Sequence, residues 1–541
     1  MTVIDRPTTR PTTTAPAAPP ASSRRIARWN AAALDRLGAL TATQLAVMIW
    51  ASALIMCFTL LGSSRTTITG TMNIVENWGA VERVALWQDF LEPVIPRFTL
   101  PTGVIAWGFR AGMVLGFLAQ IGAFLVVLRS PNPSLKKWLI GPIGAHVIMT
   151  LLMIPSNSDV FFYEAVGDLA ANGINPYVHH LIEFPDHPLL PYNYWVDIGT
   201  VYGPHWVNYN AIVMAITGPD PVVATLVQKV LSGLTTFVLV WLVYWLSRRL
   251  SGSQSLAAAA GVLVAWQPNM ILESSGQVHN DPLVVLLATA GLALVIAGGV
   301  GALRGGIVLV SLSIMVKFIT LPLLGVLALI RLTERRKPGA ARRILGGWML
   351  DGVAILAVFA GAFLPYWEGF KTVQEMLAEP SRLYTHPVWR FIQSALGFLF
   401  PHQVSDAYNA ITRPLLQVLT FVLFGWVIYR LVMALWHARE TVEFVTDGQT
   451  DPDALPDALP WWTKPVLVAW TAMFCILGFL PVNSHPWYWV WPVVPIATLV
   501  AFLLRDERPM DRIARMPGWF WLYVWGNGLM TVMYHTRIAR Y

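Results

Sequence analysis

Five short clusters carry residues that could do chemistry. The first is SNSDVFFYEAVGDLAANGINPY at 156–177, with Asp159, Tyr163 and Glu164. Asp159 follows Pro155 by four residues, where an apolar run ends. A carboxylate at a membrane edge is partly desolvated, so its pKa should rise and it becomes a better general base near neutral pH. On its own it could equally be a solvated interface acid. The second is TVYGPHW at 200–206. Gly-Pro opens a helix there, and Tyr202, His205 and Trp206 project nearby, as catalytic neighbours or as belt aromatics. The third is SGQVHNDP at 275–282, where His279, Asn280 and Asp281 crowd one turn. Capping the next helix, with Pro282 in its first turn, accounts for one of the three. The fourth is Lys317, alone between two apolar stretches. It could hold a phosphate as a point charge or snorkel to headgroups. The fifth is NSHPWYWVWP at 483–492. A girdle explains Trp487, Tyr488, Trp489 and Trp491 but not His485. Arg382, His386 and Arg390 could add positive charge for an anion.

Other chemistries leave no trace. There is no Walker loop, no GxGxxG opening a βαβ unit and no HExxH. Asp451-Pro452-Asp453 mimics a metal-holding acid pair but sits in a Pro-rich stretch among other acids, as a solvated linker does. His179, His180, Asp186 and His187 could hold a divalent ion, although they lack zinc-ligand spacing.

The elements that must position these clusters are membrane helices. The chain has 541 residues, 55% hydrophobic and only 12% charged, with a mean hydropathy of +0.55. A soluble chain carries about 25% charged residues. A soluble enzyme, a disordered protein and a disulfide scaffold are all excluded. Cys57 and Cys475 sit inside apolar runs and read as buried small hydrophobes. The net charge of +7 gathers beside apolar runs, as cytoplasmic anchors do, so no nucleic-acid partner is expected.

Apolar runs fall at about 44–63, 104–128, 138–155, 225–246, 255–272, 281–299, 346–364, 413–436, 463–482, 486–504 and 517–535. A twelfth run, 305–331, is interrupted by Lys317. Reading it as two short helices keeps RLTERRKPGAARR inside and avoids a mid-membrane Lys, which costs roughly 2.5–3.5 kcal/mol. The reading is an all-α polytopic bundle of about 13 membrane helices with interfacial helices in its loops. Residues 1–40 form a disordered cytoplasmic tail, and 41–541 form the membrane domain. Arg24, Arg25, Arg28 and Arg36 keep the amino terminus inside. The loop 437–462 is cytoplasmic. Residues 138–228 contain no Lys or Arg, which puts the acidic loop 156–223 outside. Within it, 159–172 could lie along the interface as a helix, and 204–217 could form a second.

Ser-x-Asp followed by Tyr, then GINPY, YGPHW, HND before a span, a Lys between short helices and HPWY occur in that order over 156–492. This order resembles the GT-C superfamily of integral membrane glycosyltransferases. It is most similar to the bacterial polyprenol-phosphate-mannose-dependent mannosyltransferases, including the α-1,6-mannosyltransferases that extend lipomannan. The resemblance implies a GT-C bundle in a bacterial plasma membrane with an extracytoplasmic active site. Its donor would be a sugar on a polyprenyl monophosphate, and its acceptor a glycolipid or glycan. No cofactor beyond that donor and no divalent metal is implied. The family's catalytic carboxylate maps onto Asp159, with Glu164 in reserve. Lys317, His485 and Arg382 would hold the donor phosphate. Tyr163, Tyr202, His205, His279, Asn280 and Asp281 would contact sugar or acceptor. Asp159 would take the acceptor's proton in one inverting displacement.

Two other readings compete. A transporter or flippase of lipid-linked sugars predicts polar residues deep in helices and repeated halves. A polyprenyl-diphosphate glycan polymerase or ligase predicts paired outer arginines. The polar clusters all fall on one side, which favours the transferase.

Overall fold

A computed structural model describes residues 35–63, 80–382, 405–437, 459–480 and 485–537. The structured elements are all helical. In chain order they are α1 (Ala42–Leu61), α2 (Ala80–Leu91), α3 (Thr102–Arg129), α4 (Leu135–Leu152), α5 (Asp159–Ala171), α6 (Pro204–Thr217) and α7 (Pro221–Ser251). Then follow α8 (Gln254–Ala265), α9 (Pro268–Gly276), α10 (Asp281–Gly298), α11 (Leu303–Ile314), α12 (Pro322–Leu329) and α13 (Ala340–Phe363). The last are α14 (Lys371–Arg382), α15 (Ser405–His437), α16 (Thr463–Phe479), α17 (Val493–Leu503) and α18 (Gly518–Arg537).

Local chemistry sets the boundaries. Thr41 and Gln44 close a capping box at the start of α1. The Asp220 carboxylate accepts from the backbone N–H groups of Val222 and Val223, with Pro221 in the first turn of α7. That helix ends on Gly252 in the left-handed region, just after Arg248 and Arg249. The long helices α1, α3 and α7 are apolar on nearly every face, which suits burial on one side and lipid on the other. Small residues let α1 and α3 approach closely: a Cβ on Gly112 would lie 3.0 Å from Ser52 O.

Seven stretches among the described residues are long and apolar enough to cross a bilayer, or eight if the bent pair α8–α9 counts as one. The expected count of 13 is therefore not reached. One reason is length. The helices α12, α16 and α17 have 8, 17 and 11 residues, short of the roughly 20 a bilayer needs. Asp281–Ile314, counted among the seven as one apolar stretch of 34 residues, is the hairpin of α10 and α11 that the separate runs at 281–299 and 305–331 lead one to expect. A Cβ on Gly291 would stand 2.7 Å from Gly306 O, which is impossible along one straight helix.

Two interruptions shape the site. Between α8 and α9 the axis bends by 54° at Pro268, and α9 finishes as a π-turn over Leu272–Gly276. Between α11 and α12 the backbone opens at Lys317 (φ −152°, ψ 117°). The expected pair of short helices meeting at Lys317 is what the chain forms. The expected helices at 159–172 and 204–217 are α5 and α6. Yet α5 does not lie on a surface: ten of its 13 residues are buried. The residues 156–177 look polar enough for an interface, but Phe161, Phe162, Tyr163, Val166 and Leu169 give the helix apolar sides all round, and α6 packs against it.

Candidate functional site

The site is built on interruptions. α4 ends at Leu152, and the chain runs through Ile154–Ser158 into the first turn of α5. This linker is held by side chains. Gln277 Nε2 donates to Ile154 O (3.2 Å), and Gln277 Oε1 accepts from Asn157 N (3.1 Å). The buried Arg83 of α2 donates to Ser156 O (3.2 Å) and Tyr192 O (2.8 Å). Asn157 Oδ1 accepts from the N–H of Asp159 (3.0 Å). The carboxylate of Asp159 is thereby fixed at the start of α5, only 8% exposed.

The π-turn of α9 leads to Val278, which has φ +60° although it is not a glycine. That reversal brings His279 to Asp159, with Nε2 3.6 Å from Oδ2. The other ring nitrogen, Nδ1, lies 2.9 Å from Glu273 Oε2. Asn157 Nδ2 also stands 3.1 Å from Nε2. Two arrangements compete there. A neutral ring accepts from the Asn157 amide. An imidazolium donates toward Asp159 and displaces that amide. The two flanking carboxylates favour the second: desolvation opposes the charge, but Asp159 and Glu273 together push the His279 pKa up to about 9.

Asn280 and Asp281 reach the cation expected of this region. Lys317 Nζ lies 3.2 Å from Asn280 Oδ1, and 3.2 and 3.3 Å from the two carboxylate oxygens of Asp281. Trp491 Nε1 donates to Asp281 Oδ1 at 2.7 Å. The ammonium also sits over the Tyr488 ring, 4.4 Å from its centroid. Trp487 is stacked between two imidazoles, His279 at 4.0 Å and His485 at 4.3 Å. Tyr163 OH lies 3.5 Å from Asp159 Oδ2 and 3.3 Å from Tyr202 OH. All five sequence clusters thus meet through side chains.

The YGPHW turn joins through its backbone as well. Gly203 N donates to Val316 O (3.1 Å), and His205 N donates to Met315 O (2.9 Å), next to Lys317. A Cβ on Gly203 would lie 2.0 Å from Met315 O, with backbone on both sides. Gly203→Ala should push the Lys317 turn away, costing about 1–3 kcal/mol and most of the activity. Gly346→Ala, where a Cβ meets nothing within 4 Å, is the control. Thermal unfolding in detergent, read beside activity, checks both.

Several expectations change. Asp159 was expected to have a raised pKa. Desolvation does act that way, but the hydrogen bond and charge of His279, with the charge of Lys317, outweigh it, and its pKa is lowered. Glu164 points the other way: Thr225 Oγ1 of α7 donates to its Oε1 at 2.9 Å, and burial raises its pKa well above the usual range. At i+5 it leaves the face that Asp159 and Tyr163 share. His485 is buried, and desolvation lowers its pKa to about 3. It can donate to an anion as a neutral ring but brings no charge. His205 is half-buried, and desolvation lowers its pKa. His179 pairs with Glu183 (2.9 Å) and His187 with Asp168 (3.1 Å). Among the described residues no three His, Cys, Asp or Glu side chains are placed to hold a metal ion. Arg382 closes α14. His386, Arg390, Asp451 and Asp453 lie outside the described residues.

Glu273 was not singled out from sequence. It falls at the edge of an apolar run and looks like an ordinary span terminus. A lone acid six residues before His279 is the signal that could have found it.

Comparison with known proteins adds a second line of observation. Residues 95–333 match the family model described as Alpha-(1->6)-mannopyranosyltransferase, N-terminal domain. Alpha-(1->6)-mannopyranosyltransferase A of Mycobacterium tuberculosis is 27% identical over 378 residues, covering 68% of this chain and 66% of that protein. Alpha-(1->6)-mannopyranosyltransferase B of Corynebacterium glutamicum is 29% identical over 161 residues, covering 29% of this chain and 26% of that protein. Alpha-(1->6)-mannopyranosyltransferase A of the same organism is 25% identical over 175 residues, covering 32% of this chain and 34% of that protein. The chain thus spans just under two thirds of the first relative and about a third or less of the other two. No solved structure matches. The family model and these relatives agree with the resemblance to bacterial α-1,6-mannosyltransferases that the order of motifs carries.

Proposed function

We propose that this membrane protein transfers a mannosyl group from a polyprenyl-monophosphate carrier to a glycan or glycolipid acceptor, forming an α-1,6 linkage. The observation that carries this reading is the junction of Asp159 and Lys317 through the continuous turn His279-Asn280-Asp281. It brings a carboxylate and a cation to one polar cluster, as displacement at a sugar phosphate requires. The family match supports the sugar.

The chemistry follows from charge and bonds. The acceptor oxygen attacks the anomeric carbon as the bond from that carbon to phosphate breaks. The electron pair leaves on the polyprenyl phosphate, and the hydroxyl proton passes to Asp159. A carboxylate with a lowered pKa is a weak base, but the hydroxyl becomes strongly acidic once its oxygen bonds to carbon. A late proton transfer to Asp159 is therefore downhill. No strong general acid is needed, because a phosphate monoester leaves well when its charge is met. Lys317 meets that charge. Its own charge is already matched by Asp281, so a bound phosphate draws on a second cation, for which Arg382, His386 and Arg390 are the candidates.

The distribution of basic residues supports an outward-facing site. Arg129, Lys136 and Lys137 lie between α3 and α4, at the opposite end of α4 from Asp159. Arg248 and Arg249 likewise close the far end of α7. The positive-inside rule puts those ends in the cytoplasm and the site on the outer face.

Product stereochemistry tests the mechanism. A β-linked mannosyl donor should give an α-linked product, read by NMR of the anomeric proton or by α-mannosidase digestion. A β-linked product would rule out single displacement at this site.

A further inference from the structure

We propose that Glu273 is a positioning residue for the transfer reaction: it holds His279 by Nδ1, so that the Nε2 edge stays turned to Asp159. The inference rests on the mannosyl-transfer reading and adds a residue that touches neither substrate nor Asp159 directly.

The geometry carries it. Glu273 Oε2 and His279 Nδ1 are 2.9 Å apart, with the carboxylate side chain 3% and the imidazole 1% exposed. The two residues are six apart in sequence, and an α-helix would not bring them together in this way. The π-turn over Leu272–Gly276 and the left-handed Val278 do so. His279 N donates to Glu273 O at 2.8 Å, which closes the turn. π-turns and a positive φ at a branched residue both carry a cost, and they persist where the surrounding structure enforces a geometry. What they enforce here is a buried carboxylate behind an imidazole that faces the candidate base.

The groups facing His279 can be named from every side. Asp159 of α5 lies at Nε2 with Asn157, and Glu273 of α9 lies at Nδ1. Trp487 covers one ring face, with His485 beyond it. Asp281 and Lys317 act from the neighbouring turn. Of these, Glu273 alone lies within ion-pair distance of Nδ1, at an angle off the N–H axis. Without its charge the ring loses a partner that favours its protonated form and fixes its orientation, and Asp159 loses a partner of defined position.

The test compares the wild type with Glu273→Gln and Glu273→Asp in detergent. In Glu273→Gln we expect kcat to fall about 10- to 100-fold, as when the carboxylate behind an oriented histidine is lost, with the donor KM nearly unchanged. The alkaline limb of kcat should move from near 9, set by His279, toward the ordinary histidine value of about 6.5. Glu273→Asp should recover part of both. The second readout needs no activity. A raised His279 pKa stabilises the fold fully below about pH 6.5, and that contribution is lost as pH rises through about 9. The wild-type unfolding temperature should therefore fall across that window, and in Glu273→Gln this fall should shrink. Unchanged kinetics in Glu273→Gln would overturn the proposal. So would a lower kcat with an unmoved alkaline limb and an unmoved unfolding profile, which marks a merely structural residue. A wild type that transfers no mannose from any donor would sink the parent reading instead, and the unfolding profile would then decide on the Glu273–His279 couple by itself.

Discussion

Asp159→Asn is expected to lower kcat by about 10²–10⁴-fold, the usual contribution of a positioned base, with the donor KM little changed. Asn keeps the shape and accepts a hydrogen bond, but it cannot take the acceptor's proton. The variant should remain folded, because the linker into α5 is held by Gln277 and Arg83 through its backbone and by Asn157, not by the Asp159 carboxylate. The wild-type pH profile should carry a matching sign. A pKa lowered by His279 and Lys317 keeps Asp159 ionised well into acid. Activity should therefore hold on acidification through pH 5, and a loss between pH 5 and 7 would have to come from another group. Full activity in Asp159→Asn would remove this residue as the base. Glu164 would not inherit the role in this conformation, since its carboxyl group is turned to Thr225 and α7.

The second large effect is expected at Lys317. Lys317→Met should reduce kcat/KM for the lipid donor by about 10²–10³-fold, the scale for losing one preorganised group at developing charge. The single variant also strands Asp281, which is 0% exposed and leans on this ammonium. Breaking one side of a buried pair costs about 3–5 kcal/mol, whereas removing both sides together is often neutral. The informative protein is therefore Lys317→Met with Asp281→Asn. It should recover the unfolding temperature and leave transfer impaired. A double variant that is both stable and active would show that the ammonium serves only Asp281. Lys317→Arg should keep part of the activity, because Arg carries the charge without the fit.

Much of the site was legible from local signals. A Pro before Asp159 and Gly173 with Asn-Pro after it bound α5, and Gly-Pro opens α6. Lys317 marks a break because a Lys is too costly at mid-membrane. The HND turn was visible because capping accounts for only one polar residue in three. What was not legible depends on three-dimensional closure. Glu273 looked like the end of a span, because the π-turn and the positive φ at Val278 that deliver it to His279 have no sequence signature. The pKa of Asp159 had the wrong sign, because burial was visible and the cations that reach it from two other elements were not. The span count failed for a related reason. Hydropathy records apolar length but not whether a run crosses the bilayer or stops short as α12 and α17 do. The stacking of Trp487 between His279 and His485 was hidden in what reads as an ordinary aromatic girdle.

The central claim is that the leaving group is a lipid monophosphate at the His279–Lys317 cluster. It is tested most directly by giving the purified wild-type protein radiolabelled mannose on a polyprenyl monophosphate and, in a parallel reaction, on GDP, each with the same α-1,6-mannan acceptor. Transfer from the lipid carrier, none from GDP-mannose, and loss of the lipid-dependent transfer in Lys317→Met with Asp281→Asn are the predicted results. Transfer from GDP-mannose without any lipid carrier would contradict the account.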